Sequence, residues 1–222
     1  MFSKKKDARS CGLANNLPRG KRHMKDKVIL FDGTNLDGFY AWDDERPDEK
    51  TPAAWEVKDG VMTVTRGHLV SKYEYGDAHI HVEFRIPDQP DREGQWKGNS
   101  GVYVHGCYEI QVLDSWGNAP KLDECGAIYG IFPPMTNASL KPLEWQTYDI
   151  VVRAAILERD GTVKVPAIIT VLHNGVVIHN NRLLPRNNPG GVFDHVVERG
   201  PLLLQDHACP VSYRNIWIQP LD

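Results

Sequence analysis

The stretch "AHIHVEFRI" (Ala78–Ile86) alternates strictly between apolar and polar side chains. Successive side chains of a β-strand point to opposite faces, so this period of two places all apolar residues on one side. The apolar face comprises Ala78, Ile80, Val82, Phe84 and Ile86. The polar face comprises His79, His81, Glu83 and Arg85. The pattern predicts a strand of an antiparallel sheet, with one face in the core and the other towards solvent.

Two hairpins flank this strand in sequence. "WEVKDGVMTV" places Asp59-Gly60 between two β-rich runs, and "ITVLHNGVVIHN" places Asn174-Gly175 in the same way. Asp-Gly and Asn-Gly favour the type I′ turns that join adjacent antiparallel strands. Further predicted strands are Val28–Phe31, His68–Ser71, Ser100–His105, Tyr108–Leu113, Gln146–Ala154, Leu202–Leu204 and Tyr213–Gln219.

About ten short strands with no helix-period segment between them predict an all-β fold, a jelly-roll sandwich of two antiparallel sheets. The 222 residues, 41% of them hydrophobic, suffice for one sizeable core. We therefore expect a single domain over residues 28–222. The segment Asn180–Gly200 is rich in Pro, Gly and Asn and is predicted to be irregular and to frame a surface.

The basic charge of the chain is concentrated in residues 1–27, which carry nine Lys and Arg against two Asp, a net charge of +7. The whole chain has a net charge of -3, which leaves -10 for the remainder. The segment has no apolar h-region, so it is predicted to be a disordered leader rather than a signal peptide. We expect neither a nucleic-acid partner nor a membrane span, and the sequence leaves localisation and oligomeric state open.

The four cysteines (Cys11, Cys107, Cys125 and Cys209) have no C-x-x-C spacing. Neither a zinc knuckle nor a redox motif is predicted, and free thiols are expected. A Cys107–Cys125 disulfide would close a short loop, but nothing in the sequence requires it.

The stretch "YEIQVLDSW" (Tyr108–Trp116) carries polar groups within a predicted strand. Glu109 and Gln111 share a face, whereas Asp114 shares it only if a β-bulge inserts one residue. "EIQVLD" resembles the bulged E-x-D-x-x-E motif of laminarinase-type jelly-roll glucanases, with Gln111 and Asp114 replacing the second and third carboxylates. We therefore predict a bulge between Gln111 and Asp114.

A second resemblance spans nearly all of residues 28–221. The segments that carry it, in order, are "LFDGTNLDGFYAW", "WEVKDGVMTV", "VEFRI", "GNSGVYV", "YEIQVLD", "GAIYGIFPP", "EWQTYDIVV", "NGVVIHNN" and "GPLLLQDHACPVSYRNIWIQPL". This ordered set resembles the 3-keto-disaccharide hydrolase domain family. The resemblance implies a concanavalin-like jelly roll, often exported, that cleaves glycosides oxidised at C3 by elimination or hydrolysis. It also implies a divalent metal in some members.

A ketone at C3 acidifies the proton on C2, so such a site needs a base, an acid for the leaving oxygen and an electrophile for the enolate. We predict Glu109 as the base and Asp114 or His207 as the acid, with Asp206 available to set the His207 tautomer. Predicted substrate contacts are Gln111, Glu83, Arg85, Asn99, His105, Trp116 and Arg214. Possible ligands for Mg, Mn, Ca or Zn are His81, Glu83, Glu109 and His207.

Other interpretations of these residues stay open at this point. His207 and His105 are also compatible with structural roles at strand ends, Asn99 with a turn cap, and Trp116 with the core. Glu83 and Arg85 can simply form ion pairs on a strand face. A non-catalytic carbohydrate-binding module and an ordinary retaining or inverting glycoside hydrolase are the two alternative functions.

Overall fold

A computed structural model describes residues 26–43 and 45–222, so most of the predicted leader lies outside the described residues. The described part is all-β, with one 3-10 turn at Gly94–Trp96. Its strands are β1 (Val28–Phe31), β2 (Phe39–Trp42), β3 (Thr51–Pro52), β4 (Glu56–Lys58), β5 (Val61–Thr63), β6 (His68–Tyr75), β7 (Ala78–Arg85), β8 (Ser100–Val104), β9 (Tyr108–Val112), β10 (Trp145–Arg153), β11 (Ile156–Leu157), β12 (Val163–Val165), β13 (Ile168–His173), β14 (Val176–Leu183), β15 (Gly200–Leu204) and β16 (Ser212–Pro220).

Two antiparallel sheets form a sandwich. Sheet A has the order β14-β13-β10-β7-β16-β5-β4, with β1 paired to β16, and sheet B has the order β3-β2-β6-β15-β8-β9. Strands β11 and β12 form a separate two-stranded ribbon. The predicted jelly-roll sandwich is therefore confirmed. Strands β2, β3, β11 and β12 were not predicted, because they are short and carry little apolar alternation.

The core lies between the two sheets and contains apolar side chains from both. Ile80 and Phe84 of sheet A belong to the same buried cluster as Val102 and Ile110 of sheet B. The even-numbered residues of β7 are buried and its odd-numbered residues are only partly covered. The alternation predicted from "AHIHVEFRI" is thus confirmed, and the charged face of β7 lies on the outside of sheet A.

Both predicted hairpins are present. Asp59 and Gly60 have φ values of 51° and 79°, and Asn174 and Gly175 have values of 52° and 76°. Positive φ at both central positions is the signature of a type I′ turn, and the turns join β4 to β5 and β13 to β14.

The three cysteines in the described residues, Cys107, Cys125 and Cys209, are buried free thiols. Cys107 and Cys125 therefore do not form the alternative disulfide. No helix within residues 26–43 and 45–222 is long and apolar enough to cross a membrane.

Candidate active site

The outer face of sheet B carries two rows of side chains that run across the strands. They follow from the antiparallel register of β9, β8, β15, β6 and β2. The first row is Glu109, Tyr103, Leu203, Val70 and Tyr40. The second row is Gln111, Gly101, Gln205, His68 and Trp42. Most of the first row is apolar, whereas the second is mainly polar and aromatic, so the second row provides the polar floor on which a ligand can lie.

A cavity of about 190 Å³ opens at the β9 end of these rows, and we call it the Glu109 cavity. Four predicted site residues line it, namely Glu109, Gln111, Asn99 and His207. Strand β9, the loop before β8 and the segment after β15 supply them. The fold therefore brings together residues from three separate parts of the sequence.

Glu109 is the central ionisable group of this cavity. It is only 4% exposed, and burial raises the pKa of its carboxyl to about 7. The Tyr103 hydroxyl donates to Glu109 Oε2 at 3.0 Å, which opposes that rise because the bond favours the carboxylate. A carboxyl with a pKa near neutrality can both accept and release a proton at physiological pH, which suits a general base.

Gly101 makes room for this carboxyl. It lies opposite Gln111 in the ladder between β8 and β9. A Cβ atom at position 101 would lie 2.5 Å from Glu109 Oε1 and 3.2 Å from Gln205 Oε1. The missing side chain therefore provides the space that the Glu109 carboxyl occupies.

The segment predicted to be irregular over Asn180–Gly200 borders the cavity, but its first four residues belong to β14 and its last begins β15. Asn188 Oδ1 accepts the backbone N–H of Glu109 at 3.0 Å, and its Nδ2 donates to the Tyr129 carbonyl. The Tyr103 hydroxyl also lies 3.0 Å from the Pro189 carbonyl oxygen. These contacts fix the segment onto β9, so it forms one wall of the site.

Amide side chains form a second wall. Gln95 Oε1 accepts from Gln111 Nε2 at 3.0 Å and from Asn99 Nδ2 at 3.1 Å. Within the described part of the chain, Gln111 Oε1, Gln205 Oε1 and His207 Nδ1 are buried without a hydrogen-bond partner. The side chains that carry these three atoms line the cavity, so a ligand that fills it meets polar walls.

His207 has a different environment from the one predicted. Its ring lies 5.9 Å from that of Trp96, a side chain that is 64% exposed. Asp206 does not orient it, because the two Asp206 oxygens accept the backbone N–H groups of Gly67 and Ala208. The predicted role of Asp206 is therefore wrong, and its carboxylate instead fixes the chain on both sides of the cavity edge.

Asp114 lies outside the Glu109 cavity. The β8–β9 ladder has no register shift through Val112, where β9 ends, so the predicted bulge is not in the paired strand. Asp114 then donates its N–H to the Lys97 carbonyl, and its Oδ2 lies 3.0 Å from Lys97 Nζ. The predicted convergence of Asp114 with Glu109 is therefore wrong, because Asp114 is held by Lys97 instead.

His105 and Trp116 also lie outside the cavity. His105 is fully buried in the β8–β9 turn, where its Nε2 donates to the Gly76 carbonyl at 2.9 Å. Burial lowers the pKa of His105 to about 4, which keeps the ring neutral. Trp116 is 54% exposed, with Lys141 Nζ 4.9 Å from its ring centre. Neither residue is therefore the substrate contact that was predicted: His105 has a structural role, and Trp116 lies on the surface.

Glu83, Arg85 and Arg214 belong to the outer face of sheet A, on the opposite side of the sandwich from Glu109. Arg214 Nε lies 2.5 Å from Glu83 Oε2, and both arginines lie over the Trp145 ring. Their predicted role at the same site as Glu109 is therefore wrong. Alternation identified their shared face correctly, but not the sheet to which that face belongs.

The predicted metal ligands are divided between the two sheets. His81 and Glu83 lie on β7, where His81 Nδ1 is 2.8 Å from Asp149 Oδ1, whereas Glu109 and His207 line the cavity on sheet B. Among the residues that the structure describes, no group of three or more His, Cys, Asp or Glu side chains is arranged to hold a metal ion. The four predicted ligands therefore do not form one metal site.

Six lining residues were not predicted as site residues. Pro189 and Gly190 belong to the segment that was predicted to frame a surface, and the other four are Tyr103, Gln95, Tyr129 and Gln205. Tyr103 lies opposite Glu109 because the connection between β8 and β9 has three residues, 105–107, so that Val104 pairs with Tyr108. Gln205 follows β15 directly, and the alternation of side chains along that strand places it on the same face as Leu203. Gln95 and Tyr129 come from loops, where local sequence carries no signal for their direction.

Replacing Tyr103 by Phe is expected to raise the pKa of Glu109 further above its ordinary value, because the hydroxyl that stabilises the carboxylate is lost. The expected rise is about one pKa unit, equivalent to about 1.4 kcal/mol. It can be measured by following the Glu109 side-chain carbon in an NMR titration. Tyr129→Phe removes a hydroxyl from the same cavity and is the matched control. An unchanged or lower Glu109 pKa in Tyr103→Phe would contradict the assigned hydrogen bond.

Comparison with known proteins supports a shared fold. A candidate glycosyl hydrolase from Parabacteroides distasonis ATCC 8503 is 35% identical, with a TM-score of 0.79 over 88% of this chain and 84% of that chain. A second such protein from the same organism is 19% identical, with a TM-score of 0.67 over 88% and 94% of the two chains, and this likeness shows the fold alone. No curated protein gives a significant match.

The family comparison covers almost the whole described chain. Residues 26–219 match the family described as the 3-keto-alpha-glucoside-1,2-lyase-like domain. This is the 3-keto-disaccharide hydrolase domain family that the ordered sequence segments resemble. The chain therefore belongs to this family of carbohydrate-active, glycosyl-hydrolase-like proteins.

Proposed function

We propose that the protein cleaves the glycosidic bond of 3-keto glycosides, with Glu109 as the general base. The observation that carries this proposal is the buried Glu109 carboxyl, whose pKa is raised to about 7. It lies in a cavity that is also lined by the polar side chains of Gln111, Gln205 and His207. Family membership supports a sugar substrate, and the single buried base supports proton abstraction.

The chemistry follows from the substrate's ketone. The Glu109 carboxylate removes the proton from C2, and the electron pair of that bond passes to the C3 oxygen as an enolate. When the carbonyl re-forms, a double bond forms between C1 and C2 and the bond from C1 to the leaving oxygen breaks. We assign His207 to protonate that oxygen, and water can then add to the unsaturated product.

Neutral donors of the cavity are available to stabilise the enolate. Gln205 carries an amide N–H group and Tyr129 carries a hydroxyl, and both line the cavity, whereas both N–H groups of Asn99 are already donated to Gln95. Fixed dipoles directed at a developing oxyanion are effective because they need little reorganisation during the reaction. The predicted substrate contacts Arg85 and Arg214 cannot act on this enolate, because both lie on the outer face of sheet A.

An ordinary glycoside hydrolase is less consistent with the same cavity. That chemistry usually requires two carboxyl groups facing each other across the scissile bond. Glu109 is the only carboxyl group among the described residues that line the Glu109 cavity. Asp114, the predicted second carboxylate, is paired with Lys97 instead.

The proposal is tested by incubating the protein with a glucoside disaccharide and with the same disaccharide oxidised at C3, each with and without a chelator. We expect release of the leaving sugar from the 3-keto form alone. Release from the ordinary glucoside would indicate a conventional hydrolase. Sugar binding with release from neither substrate would indicate a non-catalytic binding module. The chelator arm determines separately whether a divalent cation takes part.

A further inference from the structure

Residues 126–129 cover the outer edge of β9, and their pairing with β9 is irregular at one point. Ile128 forms an antiparallel bridge with Ile110, and the Tyr129 N–H donates to the Glu109 carbonyl at 3.1 Å. In a regular antiparallel ladder, the residue pair next to such a bridge exchanges two bonds, so the Glu109 N–H would also donate to the Tyr129 carbonyl. These two groups bond to a third residue instead.

The third residue is Asn188, whose side-chain amide is inserted between the two groups. Its Oδ1 accepts the Glu109 N–H at 3.0 Å, and its Nδ2 donates to the Tyr129 carbonyl. One direct hydrogen bond is thus replaced by two bonds with an amide group between them, which holds the Tyr129 carbonyl farther from β9. Because the bond from the Tyr129 N–H to the Glu109 carbonyl remains, the pair is opened on one side only.

The inserted amide is held firmly in place. Asn188 is fully buried, and its backbone N–H donates to the Cys107 carbonyl at 2.7 Å. The carbonyl oxygen of the next residue, Pro189, lies 3.0 Å from the Tyr103 hydroxyl. A buried amide that pairs two backbone groups cannot be replaced by an apolar side chain without leaving those groups unpaired or letting them pair with each other.

Asn188 lies behind the Glu109 cavity, between two of its lining residues. Glu109, Tyr129 and Pro189 all line the cavity, so the separation of Glu109 from Tyr129 sets part of its width. In the proposed reaction, Glu109 acts at C2, and the Tyr129 hydroxyl is one of the donors available to the oxygen on C3. C2 and C3 are bonded to each other, so the two side chains must be spaced to match neighbouring positions on one ring.

We infer that Asn188 is a positioning residue, whose inserted amide sets the separation of Glu109 and Tyr129 and thereby the width of the cavity. Without this amide, the ladder can complete itself, with the Glu109 N–H donating directly to the Tyr129 carbonyl. Tyr129 would then move towards β9. The inference rests on the proposed function for its effect on catalysis, whereas the inserted amide can be detected without any substrate.

The inserted amide is tested by NMR couplings across hydrogen bonds in isotopically labelled protein. In the wild type, we expect a coupling between the Glu109 backbone nitrogen and the Asn188 Cγ. In Asn188→Ala, this nitrogen should couple to the Tyr129 carbonyl carbon instead, because the pair closes. Asn188→Asp keeps the size of the side chain, so the coupling to the Cγ atom at position 188 should persist.

Asn137→Ala is the matched control for loss of a bridging amide. The Asn137 Nδ2 donates to the Ser115 carbonyl at 2.6 Å, and neither residue lines the Glu109 cavity. This variant should keep the wild-type coupling of Glu109. A direct coupling between Glu109 and Tyr129 in the wild type or in Asn188→Asp would overturn the inference. So would its absence from folded Asn188→Ala. If Asn188→Ala does not fold, the wild type and Asn188→Asp decide the question.

The effect on catalysis is measured with a 3-keto disaccharide. We expect Asn188→Ala to lower kcat about 100-fold, because a displacement of about 1 Å at the reacting groups can cost that much. KM should change by less than about threefold, since the change affects the positions of the reacting groups more than the binding of the rest of the substrate. Asn137→Ala should leave both values unchanged.

A double-mutant cycle shows whether Asn188 acts through Tyr129. In a Tyr129→Phe background the hydroxyl is already absent, so Asn188→Ala should lower kcat by a smaller factor than in the wild type. Equal factors in the two backgrounds would overturn the role of Asn188 in positioning Tyr129. If the wild-type protein cleaves no 3-keto glycoside, the proposed function fails, and the couplings alone accept or reject the inserted amide as the spacer.

Discussion

Glu109→Gln is expected to lower kcat/KM for a 3-keto glycoside by two to four orders of magnitude, the usual loss when a general base is removed. Gln keeps the shape of the side chain and can still interact with Tyr103, but it cannot take up the C2 proton. In the wild-type protein, kcat/KM should rise with pH through about 7, because the base must be ionised and burial raises its pKa to that value. A residual activity near the wild-type level would exclude Glu109 as the base.

The same variant supplies its own folding control. The folded pKa of Glu109, about 7, is higher than its ordinary value of 4.5, so the folded state binds this proton more tightly than the unfolded state. The resulting stabilisation is fully present below about pH 4.5 and is lost as pH rises through 7. A neutral Gln avoids this loss. We therefore expect Glu109→Gln to match the wild type near pH 4 and to be more stable at pH 8 by about 3 kcal/mol.

Urea unfolding at both pH values measures this difference directly. A variant that is inactive yet at least as stable as the wild type at pH 8 has lost chemistry rather than structure. A variant that is less stable at pH 8 would show that the Glu109 carboxylate stabilises the fold, contrary to the raised pKa.

Gly101→Ala is expected to have the second largest effect. Its Cβ would lie 2.5 Å from Glu109 Oε1 and 3.1 Å from Tyr103 Cε2, so the carboxyl must move. Overpacking of this kind typically costs about 1–3 kcal/mol of stability. A displacement of about 1 Å can lower activity about 100-fold. We therefore expect loss of both stability and kcat/KM, measured by urea unfolding and by the 3-keto glycoside assay.

A double-mutant cycle identifies the cause of that loss. In a Glu109→Ala background the carboxyl is absent, so adding Gly101→Ala should cost much less stability than it does in the wild type. Equal costs in the two backgrounds would place the conflict elsewhere, for example at the Tyr103 ring.

The sequence alone was sufficient for much of the fold, because the signals concerned are local. The alternation over Ala78–Ile86 and the two Gly-containing turns depend only on strand geometry and on positive φ. Glu109 and Gln111 were placed on one face by the same period of two.

The site itself was decided by the pairing of strands that are distant in sequence. Alternation shows that Glu83 and Arg85 share a face, but only the strand order shows that this face is on sheet A, away from Glu109. Likewise β15 brings Gln205 and His207 beside β8 only through long-range pairing. The alternation of side chains is thus a property of a single strand, whereas a cavity requires several strands and loops. The order of those strands is fixed by the free energy gained when the two sheets bury their apolar faces against each other.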